Sequence, residues 1–165
     1  MAVSVEAQTH EQRAHAEDEP QELAPYAALS TVFSGAFAAI LALGYRRLPE
    51  RFSAGDLVLL SVATHKLSRL LAGDRVTRPL RAPFTEVEDD SSSRDMKERP
   101  RGRGFKRAIG ELLSCPFCLD QWVAGAFAGG LIFAPRPTRT TAGMFAVVAG
   151  SDYLQHAQNW LRAHT

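Results

Sequence analysis

The chain has 165 residues, of which 45% are hydrophobic and 22% charged, with a formal net charge of +1. That length suits one ordinary domain, and so small a net charge gives no ground for a nucleic-acid partner. The sequence shows no secretory signal pattern, which would be a basic start followed at once by an apolar stretch, and no segment that repeats another.

Residues 1–22 contain six acids and a single arginine, Arg13, with no apolar run. Such a stretch cannot bury a core and reads as a disordered acidic tail. Residues 23–161 are expected to form a single helical membrane domain. From Leu23 to Tyr45 there are 23 consecutive residues without a charge, whereas a bilayer core of roughly 30 Å is crossed by about 20 helical residues. Ala27 to Leu43 is therefore the first expected spanning helix, and its Gly35, Ala36, Ala38, Ala39 and Ala42 suit close packing in lipid. A buried helix of a soluble bundle is the competing reading, but it is seldom apolar on every face over this length.

Pro49 and the Ser53-Ala54-Gly55-Asp56 stretch separate that helix from a second apolar segment, Leu57 to Leu71, with Ser53 placed as its cap. His65, Lys66 and Arg69 lie inside it, and charged groups at membrane depth are costly unless they face protein, water or headgroups. The segment either spans or lies amphipathically in the interface, so the architecture is four spanning helices or three plus one interfacial. A third segment, Pro116 to Pro135, carries one charge, Asp120, and a Gly125–Gly129 spacing suited to close helix approach. The fourth, Thr140 to Leu161, has Asp152 as its one formal charge and is closed by Trp160 and Arg162 in the manner of an interfacial anchor.

In the four-helix arrangement the second and fourth helices run the same way, which brings His65 and Lys66 to the depth of Asp152. Pairing would lessen the cost of burying either charge, and a cluster of His65, Lys66, Arg69 and Asp152 could also carry an ion or a proton. Lys and Arg are concentrated in the 73–118 loop rather than in the 45–55 and 135–140 loops. The positive-inside bias therefore places both termini and the long loop in the cytoplasm of a multipass cell-membrane protein.

Within that loop, residues 85–104 are acidic, then serine-rich, then basic, and read as a flexible charged segment. Arg94, Lys97, Arg99, Arg101, Arg103, Lys106 and Arg107 form its basic side and extend past it; they are positioned either to contact anionic lipid or simply to keep the loop solvated. Phe105, Ile109, Leu112 and Leu113 recur at helical spacing, which predicts a short amphipathic surface helix over 105–113. Pro116 ends it and opens the next helix.

Cys115 and Cys118 then sit in the first turn of the third membrane helix, where free amides and the helix dipole favour a thiolate. Three readings apply: small residues at a tight corner, a thiol redox pair, or part of a zinc site. The Cys-Pro-Phe-Cys tetrapeptide resembles the glutaredoxin pattern, but neither the preceding strand nor the later proline strand of that fold is visible. Zinc needs four ligands, so two more would come from His65, His156, a carboxylate or a second copy of the chain. No catalytic constellation stands out, and no cofactor is expected apart from such a zinc.

The segments Ala63-Thr64-His65-Lys66-Leu67-Ser68-Arg69-Leu70, Asp74, Val76-Thr77, Leu80-Arg81-Ala82-Pro83-Phe84, and Gly110 to Cys118 with Trp122 resemble a bacterial family, domain of unknown function 1360, over roughly residues 55–155. The resemblance implies a small multipass membrane protein, some members being sporulation-associated. It carries no activity, cofactor or catalytic residue. The expectation is thus an all-α integral membrane protein with a structural or interaction role, its partners being the bilayer and, in a homo-oligomer, itself.

Overall fold

Four long helices dominate the described part of the chain, residues 23–87 and 98–164 of a computed structural model. Helix α1 (Leu23–Gly44) is uncharged throughout and tightens into a 3-10 turn at Tyr45–Arg47 just before Pro49. Helix α2 (Ala54–Gly73) starts where the Ser53 hydroxyl accepts the amide of Asp56 at 3.0 Å, satisfying one of the donors that a helix start leaves free.

A 3-10 turn at Arg75–Thr77 and a single helical turn, α3 (Arg78–Arg81), lead into strand β1 (Thr85–Val87). Strand β2 (Glu98–Pro100) pairs antiparallel with it, Thr85 opposite Pro100 and Val87 opposite Glu98. Helix α4 (Phe105–Ser114) follows, then α5 (Pro116–Phe133) and α6 (Pro135–His164).

The core is thin and sets alanines against larger apolar side chains. Ala63 of α2 and Ala142 of α6 are both 0% exposed, and they meet Val123 and Phe127 of α5 with Leu59, Leu60, Leu67, Leu71 and Phe145 around them. Alanine at the crossing lets α2 and α6 backbones approach closely, which raises the number of dispersion contacts each helix makes. Among the long helices, α1 packs chiefly on α5, over the Gly125–Gly129 face. A Cβ at Gly125 would lie 3.2 Å from Phe33 Cε2, and one at Gly129 would lie 3.1 Å from Ile40 Cδ1. Trp122 meets Phe33 edge-on at 5.2 Å between centroids.

The helical expectation holds, with one correction and one narrower finding. First, the chain is not all-α: the loop expected to be irregular carries the β1–β2 ribbon, because Arg81 and Glu98 pull its two ends together. Second, two helices rather than four are long and apolar enough to cross a membrane by length and composition, Leu23–Arg47 and Pro116–Phe133. Helix α2 falls short because Asp56, Lys66 and Arg69 lie within it, and α6 because Asp152 and the uncharged polar residues Ser151, Gln155, His156, Gln158 and Asn159 dilute its apolar stretch. The fourth helix also begins at Pro135 rather than Thr140. The acidic tail, Arg94 and Lys97 lie outside the described residues.

Helix α4 ends at Ser114 and α5 begins at Pro116, so the sharp corner stands where proline chemistry puts it. The Tyr26 hydroxyl of α1 donates to Glu111 of α4, and Arg107 donates to the other oxygen of Glu111 at 3.1 Å. The short amphipathic helix is thereby tied to the start of the first span. It also lies hard against the ribbon: a Cβ at Gly110 would stand 2.5 Å from the Phe84 carbonyl oxygen and 3.2 Å from Pro100 Cα. Only glycine fits so close to a neighbouring backbone.

Candidate functional site: a charged cleft at the helix ends

The carboxyl-terminal half of α2 presents His65, Lys66 and Arg69 toward α6, which answers with Asp152, Tyr153 and His156. Between them lies a cleft of about 710 Å³, floored by Gly73 and Asp74 and bordered by Glu98, Ser114 and Pro116. Lys66 Nζ is 2.6 Å from Asp152 Oδ2, a charge-assisted bond between helices far apart in sequence. Lys66 is 19% exposed and Asp152 42%, so the pair stands at the rim rather than in the core. His65 and Arg69 line the same cleft, both exposed, without an ion pair among the described residues.

Behind the cleft stands a buried network that the charge pattern of the sequence did not suggest. The Arg81 side chain is 1% exposed and that of Glu98 3%. The guanidinium meets the carboxylate through two parallel bonds, Nε to Oε2 and Nη2 to Oε1, both 3.0 Å. Its remaining donors reach the Leu71 carbonyl at 2.5 Å, the Thr77 hydroxyl at 2.6 Å and the Asp74 carbonyl at 3.1 Å. All five donors of the fork are thus used, which is the condition under which burying a guanidinium is tolerable.

Two of those acceptors belong to the carboxyl end of α2, where unpaired carbonyls and the helix dipole favour a cation. Thr77 donates onward to the Leu70 carbonyl at 2.7 Å, and Thr85 donates to Glu98 Oε2 at 2.7 Å. Burial pushes the Glu98 carboxyl up, but the Arg81 and Thr85 hydrogen bonds and the Arg81 and Arg78 charges outweigh it and hold it below the usual glutamate value of 4.5. The signal that could have found this node is in the resemblance itself: Asp74, Thr77 and Arg81 all belong to the motif stretch. Glu98 lies 17 residues beyond Arg81, across the serine-rich insert, and nothing local marks it.

Two further polar contacts join the helices. Ser68, fully buried, donates to Asp120 of α5, so the one charge of the third segment is turned inward. At the opposite end of α2, Arg139 of α6 grips Asp56 with Nε at 2.7 Å from Oδ1 and Nη2 at 2.9 Å from Oδ2. Arg139 belongs to the 135–140 stretch that the sequence predicts as a loop and the structure makes helical.

Cys115 is half-buried and Cys118 exposed, and both thiols are free. The Cys115 sulfur accepts the amide of Cys118 at 3.3 Å, the position that serine or aspartate usually takes at a helix start. Among the described residues no group of three or more His, Cys, Asp or Glu side chains stands together. A zinc site on these thiols would need further ligands beyond those that the described residues bring together.

The chain belongs to the family described as Protein of unknown function (DUF1360), whose model matches residues 59–158. Among similar proteins, the Sporulation protein YjcA of Bacillus subtilis is 40% identical over 72 residues, covering 42% of this chain and 61% of that protein. The UPF0713 protein YngL of the same organism is 25% identical over 111 residues, 66% of this chain and 82% of that protein. No solved structure matches significantly.

Proposed function

We propose that this member of the DUF1360 family is a four-span protein of the cell membrane with an organising or binding role rather than a catalytic one. The observation that carries the reading is the exposure of α1: 22 residues without a charge, with only 6% of its most apolar stretch buried. In water that much apolar surface would drive aggregation, whereas in lipid it costs nothing. The rest of the bundle supports the same solvent. Small residues such as Ala63, Ala142 and Ala149 and paired polar groups are buried beside a few large side chains, while Leu43 is 80%, Phe117 84% and Val147 73% exposed.

Helices α2 and α6 join α1 and α5 in the bilayer because their charges answer one another. Asp56 pairs with Arg139 at one end and Lys66 with Asp152 at the other, which lowers the cost of carrying those four charges between the helices. Helix α2, at 20 residues, is about 30 Å long, the thickness of the hydrocarbon core. The basic loop and α4 then lie on the cytoplasmic side against headgroups. The name of one relative ties that protein to sporulation; only the shared membrane module is carried over to this chain.

The test is fractionation with topology mapping. The full chain should remain in the membrane pellet after alkaline carbonate washing. In a Cys115→Ser, Cys118→Ser background, Glu50→Cys and Pro137→Cys should react with an impermeant maleimide from outside, and Arg103→Cys only after lysis. Recovery in the supernatant without detergent would end the membrane reading; labelling of Glu50→Cys and Pro137→Cys from opposite sides would end the four-span one.

A further inference from the structure

We infer that the cleft at the ends of α2 and α6 seats the phosphodiester headgroup of a membrane phospholipid, with one of its acyl chains in an adjoining groove between α2 and α5. The inference rests on the membrane reading above and adds a defined ligand to it. Two hollows meet at His65. One is the charged cleft; the other, of about 560 Å³, is lined mainly by Phe52, Leu57, Leu60, Phe117, Ala124 and Ala128. From Phe117 to Ala128 the groove follows α5 for about 16 Å at the helical rise per residue. The two share His65 as a wall, and although Thr64, Asp120 and Gln121 also border the second, its surface is mostly apolar; a charged hollow beside a long, mainly apolar one is complementary to an amphiphile.

The charges in the cleft narrow the headgroup. Lys66 is engaged by Asp152, and Glu98 by Arg81. That leaves Arg69, His65 and His156 against one carboxylate, Asp74, none of the four having an ion pair among the described residues. Arg69 offers a planar fork suited to two phosphate oxygens, and the imidazoles offer further donors. Asp74 repels a multiply charged anion, so a phosphodiester with its single charge suits the cleft better than a phosphomonoester. The site lies at the cytoplasmic end of the bundle, where such headgroups stand in the arrangement proposed above.

The experiment is native mass spectrometry of the full chain in neutral maltoside detergent. It is offered equimolar phosphatidylglycerol and diacylglycerol with identical chains, which differ only in the phosphate headgroup. Phosphatidylglycerol should be retained about tenfold over diacylglycerol, a factor typical of one charge-assisted contact. Arg69→Gln, His156→Gln together should bring the two to parity. Ala124→Trp, at an exposed position that fills the groove, should lower retention of both lipids. Arg101→Gln, Arg103→Gln, Lys106→Gln, which strips the basic surface outside the cleft, should leave the preference intact.

Parity in the wild-type chain, or a preference that survives the Arg69 and His156 changes, overturns the inference. Displacement of the lipid by an equal concentration of glycerophosphoglycerol, the same headgroup without chains, overturns the assignment to a lipid. A chain that needs no detergent to stay soluble fails the membrane reading, while one that needs detergent and shows parity fails the lipid site alone.

Discussion

Removing one member of the Arg81–Glu98 pair should be the most damaging single change in the described chain. With side chains 1% and 3% exposed, Glu98→Gln leaves a buried guanidinium without its counter-charge, and Arg81→Ala leaves a buried carboxylate and the Leu71 and Asp74 carbonyls without that partner. Breaking a buried pair in this way costs about 3–5 kcal/mol. For a chain of this size, that lowers the melting temperature by about 6–20 °C.

The assay is thermal unfolding in detergent followed by far-ultraviolet circular dichroism, for both single variants and for Arg81→Leu, Glu98→Leu. Because the double change removes both charges at once, it should cost clearly less than the two single costs added together. Melting temperatures within about 2 °C of wild type for the single variants, a shift corresponding to under 1 kcal/mol, would refute the claim that this pair anchors the end of α2. So would strict additivity in the cycle, because uncoupled residues cannot be acting as a pair.

Four other outcomes follow from the same geometry. Glu98 is held below the usual glutamate value in the folded chain, so its contribution is full above about pH 4.5, the unperturbed value, and fades as pH falls through the lower folded one. The wild-type melting curve should lose that increment on acidification and Glu98→Gln should not; parallel curves would contradict it. Cys115→Ser keeps a cap acceptor and should fold like wild type, whereas Cys115→Ala should lose about 0.5–1 kcal/mol; loss of a cellular phenotype in the well-folded serine variant would instead show that the thiol does chemistry. Gly110→Ala should cost about 1–3 kcal/mol, since backbone of Phe84 and Pro100 blocks the new methyl, and limited proteolysis should then cut between the ribbon and α4 sooner. Asp152→Asn, at a half-exposed rim, should cost about 1 kcal/mol or less, and a larger loss by the same melts would place the pair in a drier setting than its exposure suggests.

The long elements were legible because their signals are local. An uncharged run of 23 residues, a serine ahead of an apolar segment, and a proline after Ser-Cys each act on the nearest few residues, and α1, the Ser53 cap and the 114–116 corner stand where those signals put them. The depth argument that set Lys66 and Asp152 side by side used only helix length and direction, and the two side chains do meet. What sequence could not supply is which charges neutralise one another. Arg139 looked like a loop residue because its partner Asp56 is 83 positions away. Arg81 was visible only as part of the family motif and Glu98 lay unmarked in the charged 85–104 segment, and only the fold makes them a buried fork at the base of the ribbon.

That ribbon separates two design problems. Its ends are fastened by Thr85 opposite Pro100 and by the Arg81–Glu98 clasp, so the spacing the helices sense is fixed before the intervening residues 88–97 begin. Lengthening a loop whose ends are already joined adds only about 0.6 kcal/mol of closure entropy per doubling. A fluorescent protein or epitope spliced between those residues should therefore report on this molecule in living cells without disturbing the bundle that carries it.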